Sequence, residues 1–133
     1  MPERCASETA VLGVDPGRRV GLAWVADDGR LLRVAVVEAF DLERLAVPIG
    51  AAIALGDGTG SAVVRARLAA SGRDVDLVDE RATSEEGRAL YWRERPARGV
   101  RRLIPIGFRP PPELLDGYAA YAIALRWLAR RTA

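Results

Sequence analysis

Five acidic residues stand where a turn or a helix start would hold them at the ends of elements. Asp15 closes the run Val11-Leu-Gly-Val-Asp15 and is followed at once by Pro16-Gly17. Asp57 follows the small apolar run Gly50-Ala-Ala-Ile-Ala-Leu55 and stands between Gly56 and Gly58. Asp79 and Glu80 end Asp74-Val-Asp-Leu-Val-Asp-Glu80, and Asp116 opens an alanine-rich stretch near the C-terminus. A carboxylate at the tip of a buried strand is costly unless something positive meets it. All 20 basic residues are Arg, and His, Lys, Asn and Gln are absent, so that partner is an Arg or a metal ion. The lack of His also removes Ser-His and Cys-His nucleophiles and His-bound zinc.

Carboxylates gathered on one rim repel each other, which favours their protonated forms. A divalent cation relieves that repulsion. Carboxylate, water and phosphate oxygens are the ligands that Mg²⁺ and Mn²⁺ prefer. Two such ions about 3.5–4 Å apart can activate a water and stabilise the leaving oxygen of a phosphodiester. Each acid also has a plainer reading. Asp15 and Asp57 suit turns, Glu80 could pair with Arg81 or Arg88, and Asp116 is favoured in a first helical turn by the dipole. Alternation points Asp79 away from Glu80, which makes it a structural residue or one that supports the ligands from behind.

The elements that must position these acids follow from the pattern. Residues 11–15 and 20–25 are apolar and separated by too little chain for a helix, so they pair as an antiparallel hairpin. After a turn at 26–30, residues 31–40 form a third strand. Residues 41–47 make a short helix, capped by Asp41 and stopped by Pro48. The run 50–55 reads as a strand buried on both faces, followed by a helix over 62–70 and a stop at Ser71-Gly72-Arg73. Residues 74–79 are the fifth strand. Thr83 and Glu86 have capping-box spacing, which starts a helix running to about Trp92. Regular pattern is then lost across 93–112, where Pro96, Pro105, Pro110, Pro111 and Pro112 fall. A closing helix spans 113–130. The expected architecture is α/β: a mixed five-stranded sheet, made of an antiparallel three-strand meander plus two parallel strands, with helices on both faces. Ligands bind at the C-terminal ends of parallel strands, and neighbouring tips lie roughly 5–10 Å apart.

The bulk numbers agree with a water-exposed α/β domain. The 133 residues suffice for one domain with a real core, expected over 10–133 behind a frayed segment at 1–9. Half the residues are hydrophobic, yet no apolar run approaches the roughly 20 residues of a membrane span. The N-terminus is polar, without a signal-peptide pattern, and the single cysteine, Cys5, excludes an internal disulfide. A cytoplasmic protein is expected, with no membrane partner.

Three stretches resemble one group of enzymes. Gly13-Val-Asp-Pro-Gly17 with Gly21-Leu-Ala23 resembles the opening of the RuvC-like nucleases. Val78-Asp-Glu-Arg-Ala-Thr-Ser84 resembles the DERxTS signature of the YqgF (RuvX) family, nucleases associated with pre-16S rRNA processing. Leu115-Asp-Gly-Tyr-Ala-Ala120 is similar to that family's closing acidic helix, with Gly117 where a second acid often stands. The resemblance spans about residues 10 to 129. It implies an RNase H-like fold and carries catalytic and metal-ligand roles onto Asp15, Glu80 and Asp116, with two Mg²⁺ or Mn²⁺ ions. Asp57 falls where other RNase H-like enzymes place an acid, so the middle ligand is Asp57, Glu80 or both. The implied activity is hydrolysis of structured RNA at rRNA precursor ends. The alternatives are a Holliday junction resolvase-like DNA endonuclease and a nucleic-acid-binding module without turnover.

The net charge is only +2, but the basic residues are unevenly spread. Arg93, Arg95, Arg98, Arg101, Arg102 and Arg109 are opposed only by Glu94 and are interleaved with Tyr91, Trp92 and Phe108. Arg forks suit phosphates and aromatic faces suit unpaired bases. The alternative is that Trp92, Leu103, Ile104 and Ile106 pack on the core and the arginines are solvated. Arg18 and Arg81 flank the acids. The loop Gly56-Asp-Gly-Thr-Gly-Ser61 runs into a helix whose free N–H groups, with Thr59 and Ser61, could hold a phosphate or simply make a tight turn. In the closing helix Leu114, Tyr118, Tyr121, Leu125 and Leu128 form an apolar stripe, and four alanines allow close approach to the sheet. That stripe is core, or Tyr121 and Trp127 serve a dimer face; monomer and homodimer both stay open.

Overall fold

The Pro16-Gly17 turn folds β1 (Thr9–Asp15) back onto β2 (Arg19–Ala26), with Asp15 opposite Gly21. A second turn, in which Gly29 takes φ 91°, leads into β3 (Leu31–Glu38). Such a positive φ is open to glycine at little cost. This is a computed structural model, and it describes residues 8–17, 19–38, 50–58, 60–69, 74–95, 99, 103 and 114–132. The chain continues through β4 (Ala52–Gly56), α1 (Ser61–Ala69), β5 (Asp76–Val78), α2 (Thr83–Glu94) and α3 (Leu115–Thr132). The five strands lie in the order β3-β2-β1-β4-β5. The meander is antiparallel, and β1 with β4 and β4 with β5 are parallel. This is the expected mixed sheet. The expected helix at 41–47 and the helix stop at 71–73 lie outside the described residues, as does most of 93–112.

Alternation along the central strands sorts the core into two layers. Leu12, Val14, Val20, Leu22, Trp24, Ile53 and Leu55 pack with Val64 and Leu68 of α1 on one face. Val11, Ala23, Val25, Ala54 and Val78 pack with Tyr118, Ala120, Ile123 and Leu128 of α3 on the other, where α2 adds Leu90 and Tyr91. Helices therefore cover both faces. The second layer is unusually thin. A Cβ on Gly13 would overlap the Ala120 carbonyl of α3, one on Gly21 the Asp116 carbonyl, and one on Gly87 of α2 the α3 backbone at Ala119. Backbone therefore lies on backbone where α3 crosses β1 and β2.

Several expectations need correcting. β5 has only three residues, the ones that pair with β4, and α3 caps its open side. The Arg130 Nη1 donates to the Leu77 carbonyl (3.2 Å), Arg126 Nη1 to the Asp79 carbonyl (2.7 Å) and Trp127 Nε1 to Asp76 Oδ2 (2.9 Å). Bulky, fixed side chains on an edge prevent further strand pairing. Tyr121 offers no dimer face: it is buried, and its hydroxyl donates to the Gly29 carbonyl at 2.6 Å. Trp127 is likewise engaged within the chain. The α2 helix begins at Thr83 as expected, but no capping box forms. Glu86 N–H donates to the Ala82 carbonyl, and the Thr83 hydroxyl donates backwards to the Glu80 carbonyl at 2.7 Å. None of the described helices is long and apolar enough to cross a membrane.

Candidate active site

Odd-numbered residues of β1 face α3, so Asp15 points to the side of the sheet that α3 covers. At the level of Asp15 both neighbouring strands carry glycine. Gly21 of β2 is its register partner, and Gly56 of β4 follows the Val14–Leu55 pair. Each missing side chain makes room for another acid-bearing segment. The Asp116 backbone fills the space over Gly21, and the Glu80 carboxyl fills the space over Gly56 and Gly58. Two glycines thus bring residues distant in sequence to either side of Asp15.

The Glu80 backbone is fixed at both ends. Its N–H donates to Asp57 Oδ1 (3.3 Å), while its carbonyl accepts the Thr83 N–H (3.0 Å) and the Thr83 hydroxyl. Ala82 between them adopts φ 63°, a left-handed conformation that a residue with a Cβ takes only under constraint. Asp57 N–H donates to the Val78 carbonyl (3.0 Å), extending the β4–β5 ladder past the strand ends. The exposed Asp57 therefore ties the two tips together and holds Glu80 from behind.

The electrostatics centre on Asp15 and Glu80. Burial first, then the charges of Glu80 and Asp116 and a hydrogen bond with Glu80, push the Asp15 carboxyl up to about 7. Glu80 is raised as well, by burial and then by the charge of Asp57. The backbone N–H of Gly58 and the hydrogen bond from Asp15 oppose that rise. Both carboxyls are thus pushed toward their protonated forms, each by burial first and then by a neighbouring acid. Glu80 Oε2 is buried with no hydrogen-bond partner. Asp79 faces away, as expected, and its Oδ1 accepts the Arg81 N–H at 2.9 Å.

The arrangement is a tight pair with two outer acids. Among the described residues no group of three or more acids closes into a metal-binding cluster. The residues present nonetheless fit a hard cation. The donors are all oxygen, one buried carboxylate oxygen lacks a partner, and the pair is repulsive once the shared proton leaves. Mg²⁺ is commonly held by one or two carboxylates together with substrate phosphates.

The expected nucleic-acid contacts divide. Arg18, Thr59, Arg98, Arg101, Arg102 and Arg109 lie outside the described residues. Ser61 begins α1, with its N–H donating to the Gly58 carbonyl (3.1 Å). The glycines of that loop make room for Glu80, a use the phosphate-loop reading did not include. Arg81 and Arg93 are exposed. The Arg95 guanidinium stacks on Tyr91 at 5.5 Å, and Tyr91 meets Trp92 and Tyr118 edge-on at 5.1 and 5.2 Å. Tyr91 thus belongs to the α2–α3 packing rather than to a free stacking platform. The Tyr118 hydroxyl donates to Glu94 Oε2 (3.2 Å), the acid that stood alone among those arginines. Sequence reading missed the Thr83 clamp. It also missed Arg126 and Arg130, whose i, i+4 spacing was the available sign that they share a helix face.

No family model and no curated protein matches the chain by sequence. Its fold does match. The structure of RuvC from Thermus thermophilus superimposes with a TM-score of 0.53 over 92% of this chain and 96% of that one, at 17% identity. The chain therefore has a RuvC-like, RNase H-type α/β fold.

Proposed function

We propose that this chain is a divalent-metal-dependent nuclease that hydrolyses phosphodiester bonds. The observation that supports this reading most is the Asp15–Glu80 pair, set at the C-terminal edge of a RuvC-like sheet with a buried, partnerless carboxylate oxygen. Asp15 and Glu80 would hold Mg²⁺ or Mn²⁺, and Asp116 and Asp57 add negative charge from either side. Such an ion supplies a Lewis acid for the phosphoryl group and lowers the pKa of a bound water. The chain's own part is positional. Asp57 and Thr83 fix the Glu80 backbone, so its carboxylate needs little reorganisation. Asp15 must give up its proton for a cation to enter; burial first, then the charges of Glu80 and Asp116, hold that carboxyl's pKa up.

The DERxTS-like stretch favours structured RNA as the substrate, with precursor rRNA ends as the specific case. The likeness to RuvC supports a second reading, cleavage of branched DNA. The test is Mn²⁺-dependent cleavage of labelled structured RNA and of a four-way DNA junction by the wild type and by Asp15→Asn. Loss of a first ligand should lower the rate by at least about 100-fold, since even partners one shell out account for 10–100-fold. Equal cleavage by the variant would remove Asp15 from the mechanism. Binding that survives chelation with no cleavage under any metal would indicate a module without turnover.

A further inference from the structure

A groove of about 430 Å³ opens at the free edge of β5, lined by Val78, Asp79, Arg81, Arg126 and Arg130. It lies one residue from Glu80. Because side chains alternate along an extended chain, Glu80 turns inward to Asp15 while Asp79 turns outward to this groove. Two of its three guanidiniums are already anchored. Arg126 spans the Asp79 carbonyl and the Glu86 carboxylate, and Arg130 holds the Leu77 carbonyl through Nη1 alone. Among the described residues the Arg81 guanidinium has no ion-pair or hydrogen-bond partner. Asp79 is the one acid in the lining, and its Oδ1 already accepts the Arg81 N–H. With Glu86 offsetting Arg126 and Asp79 offsetting one more charge, the groove keeps a single surplus positive charge, shared between Arg81 and Arg130.

We propose that this groove seats the phosphate backbone of the nucleic-acid strand as it leaves the acidic pair. The proposal rests on the nuclease reading for the identity of its ligand. Planar guanidinium forks match phosphate oxygens, and Arg130, anchored in advance, loses less freedom on binding than the free Arg81 does. The route to the acids is short, because the groove and the Asp15–Glu80 pair occupy two sides of one strand tip.

The experiment measures binding of a labelled single-stranded RNA and a four-way DNA junction in EDTA, across 50–200 mM KCl. It compares the full-length wild type with Arg81→Ala, Arg130→Ala and, on the opposite face, Arg65→Ala. Each groove variant should weaken binding and flatten the slope of log K against log salt by about 0.7–0.9, the value for one phosphate contact, whereas Arg65→Ala leaves the slope unchanged. Wild-type slopes in both groove variants, with circular dichroism and melting unchanged, overturn the proposal. If Arg130→Ala unfolds by exposing the β5 edge, Arg81→Ala decides the matter alone. Mn²⁺-dependent cleavage is followed in parallel. Cleavage with unaltered slopes sinks the groove and leaves the nuclease, and altered slopes without cleavage do the reverse. No binding by the wild type overturns the groove proposal.

Discussion

The two faces of the sheet are built from different materials. The face toward α1 is filled with large side chains: Leu12, Leu22, Trp24, Ile53 and Leu55, all essentially without exposure. The face toward α3 has glycine or alanine at Gly13, Gly21, Ala23, Ala54 and Gly56, and the helix answers with Ala120 and Ala124, while Ala119 meets Gly87 of α2. Large side chains supply buried apolar area and can shift by rotamer changes. Backbone set against backbone has no such freedom. The acids sit on the second face, so the glycines around Asp15 carry as much of the site's geometry as the carboxylates do.

Leu22→Ala and Gly56→Ala break this comparison from opposite sides. Leu22→Ala opens a cavity on the α1 face and should cost about 2–5 kcal/mol in urea unfolding, with activity per folded molecule unchanged. Gly56→Ala places a Cβ on Glu80 Oε2. A catalytic group displaced by about 1 Å can lose roughly 10²-fold in rate, so this variant should lose activity with only a small change in melting. Full activity in Gly56→Ala would show that the bracket around Asp15 does not set the site.

The acidic face should also respond to pH when no divalent ion is present. Asp15 has a folded-state pKa of about 7, above its ordinary 3.8. The stability linked to its protonated form is therefore complete below pH 3.8 and lost as pH rises through 7. In chelator, thermal unfolding should show a decline of roughly 2–3 kcal/mol between pH 5 and 8, and Asp15→Asn should remove it. A decline that persists in Asp15→Asn would assign the effect to another group. The smallest change is expected from Asp57→Asn. The amide oxygen can still accept the Glu80 N–H, so stability should move by less than about 1 kcal/mol. A larger loss would mean that the charge of Asp57, and not its hydrogen bond, is what the tip requires.

Much of this was legible in the sequence, for identifiable reasons. Strand alternation and the Pro16-Gly17 break placed Asp15 at a tip, and small apolar runs placed β4 and its parallel neighbour beside it. Alternation also separated Asp79 from Glu80. What could not be read were contacts between segments distant along the chain. Thr83-x-x-Glu86 has capping spacing, but Thr83 sits close enough to the Glu80 carbonyl to bond it instead. The glycines of the β4–α1 loop look like a phosphate cradle locally, and only the fold shows that the Glu80 carboxyl, two residues past β5, fills the space. Tyr121 on an apolar stripe reads as core first, with an interface as the alternative until the Gly29 carbonyl is found opposite its hydroxyl.

Anomalous diffraction from a crystal soaked in Mn²⁺ tests the central claim most directly. The account predicts a peak bonded to carboxylate oxygens of both Asp15 and Glu80 in the wild type. A peak that touches neither residue, or no peak at that edge of the sheet at saturating Mn²⁺, would contradict it.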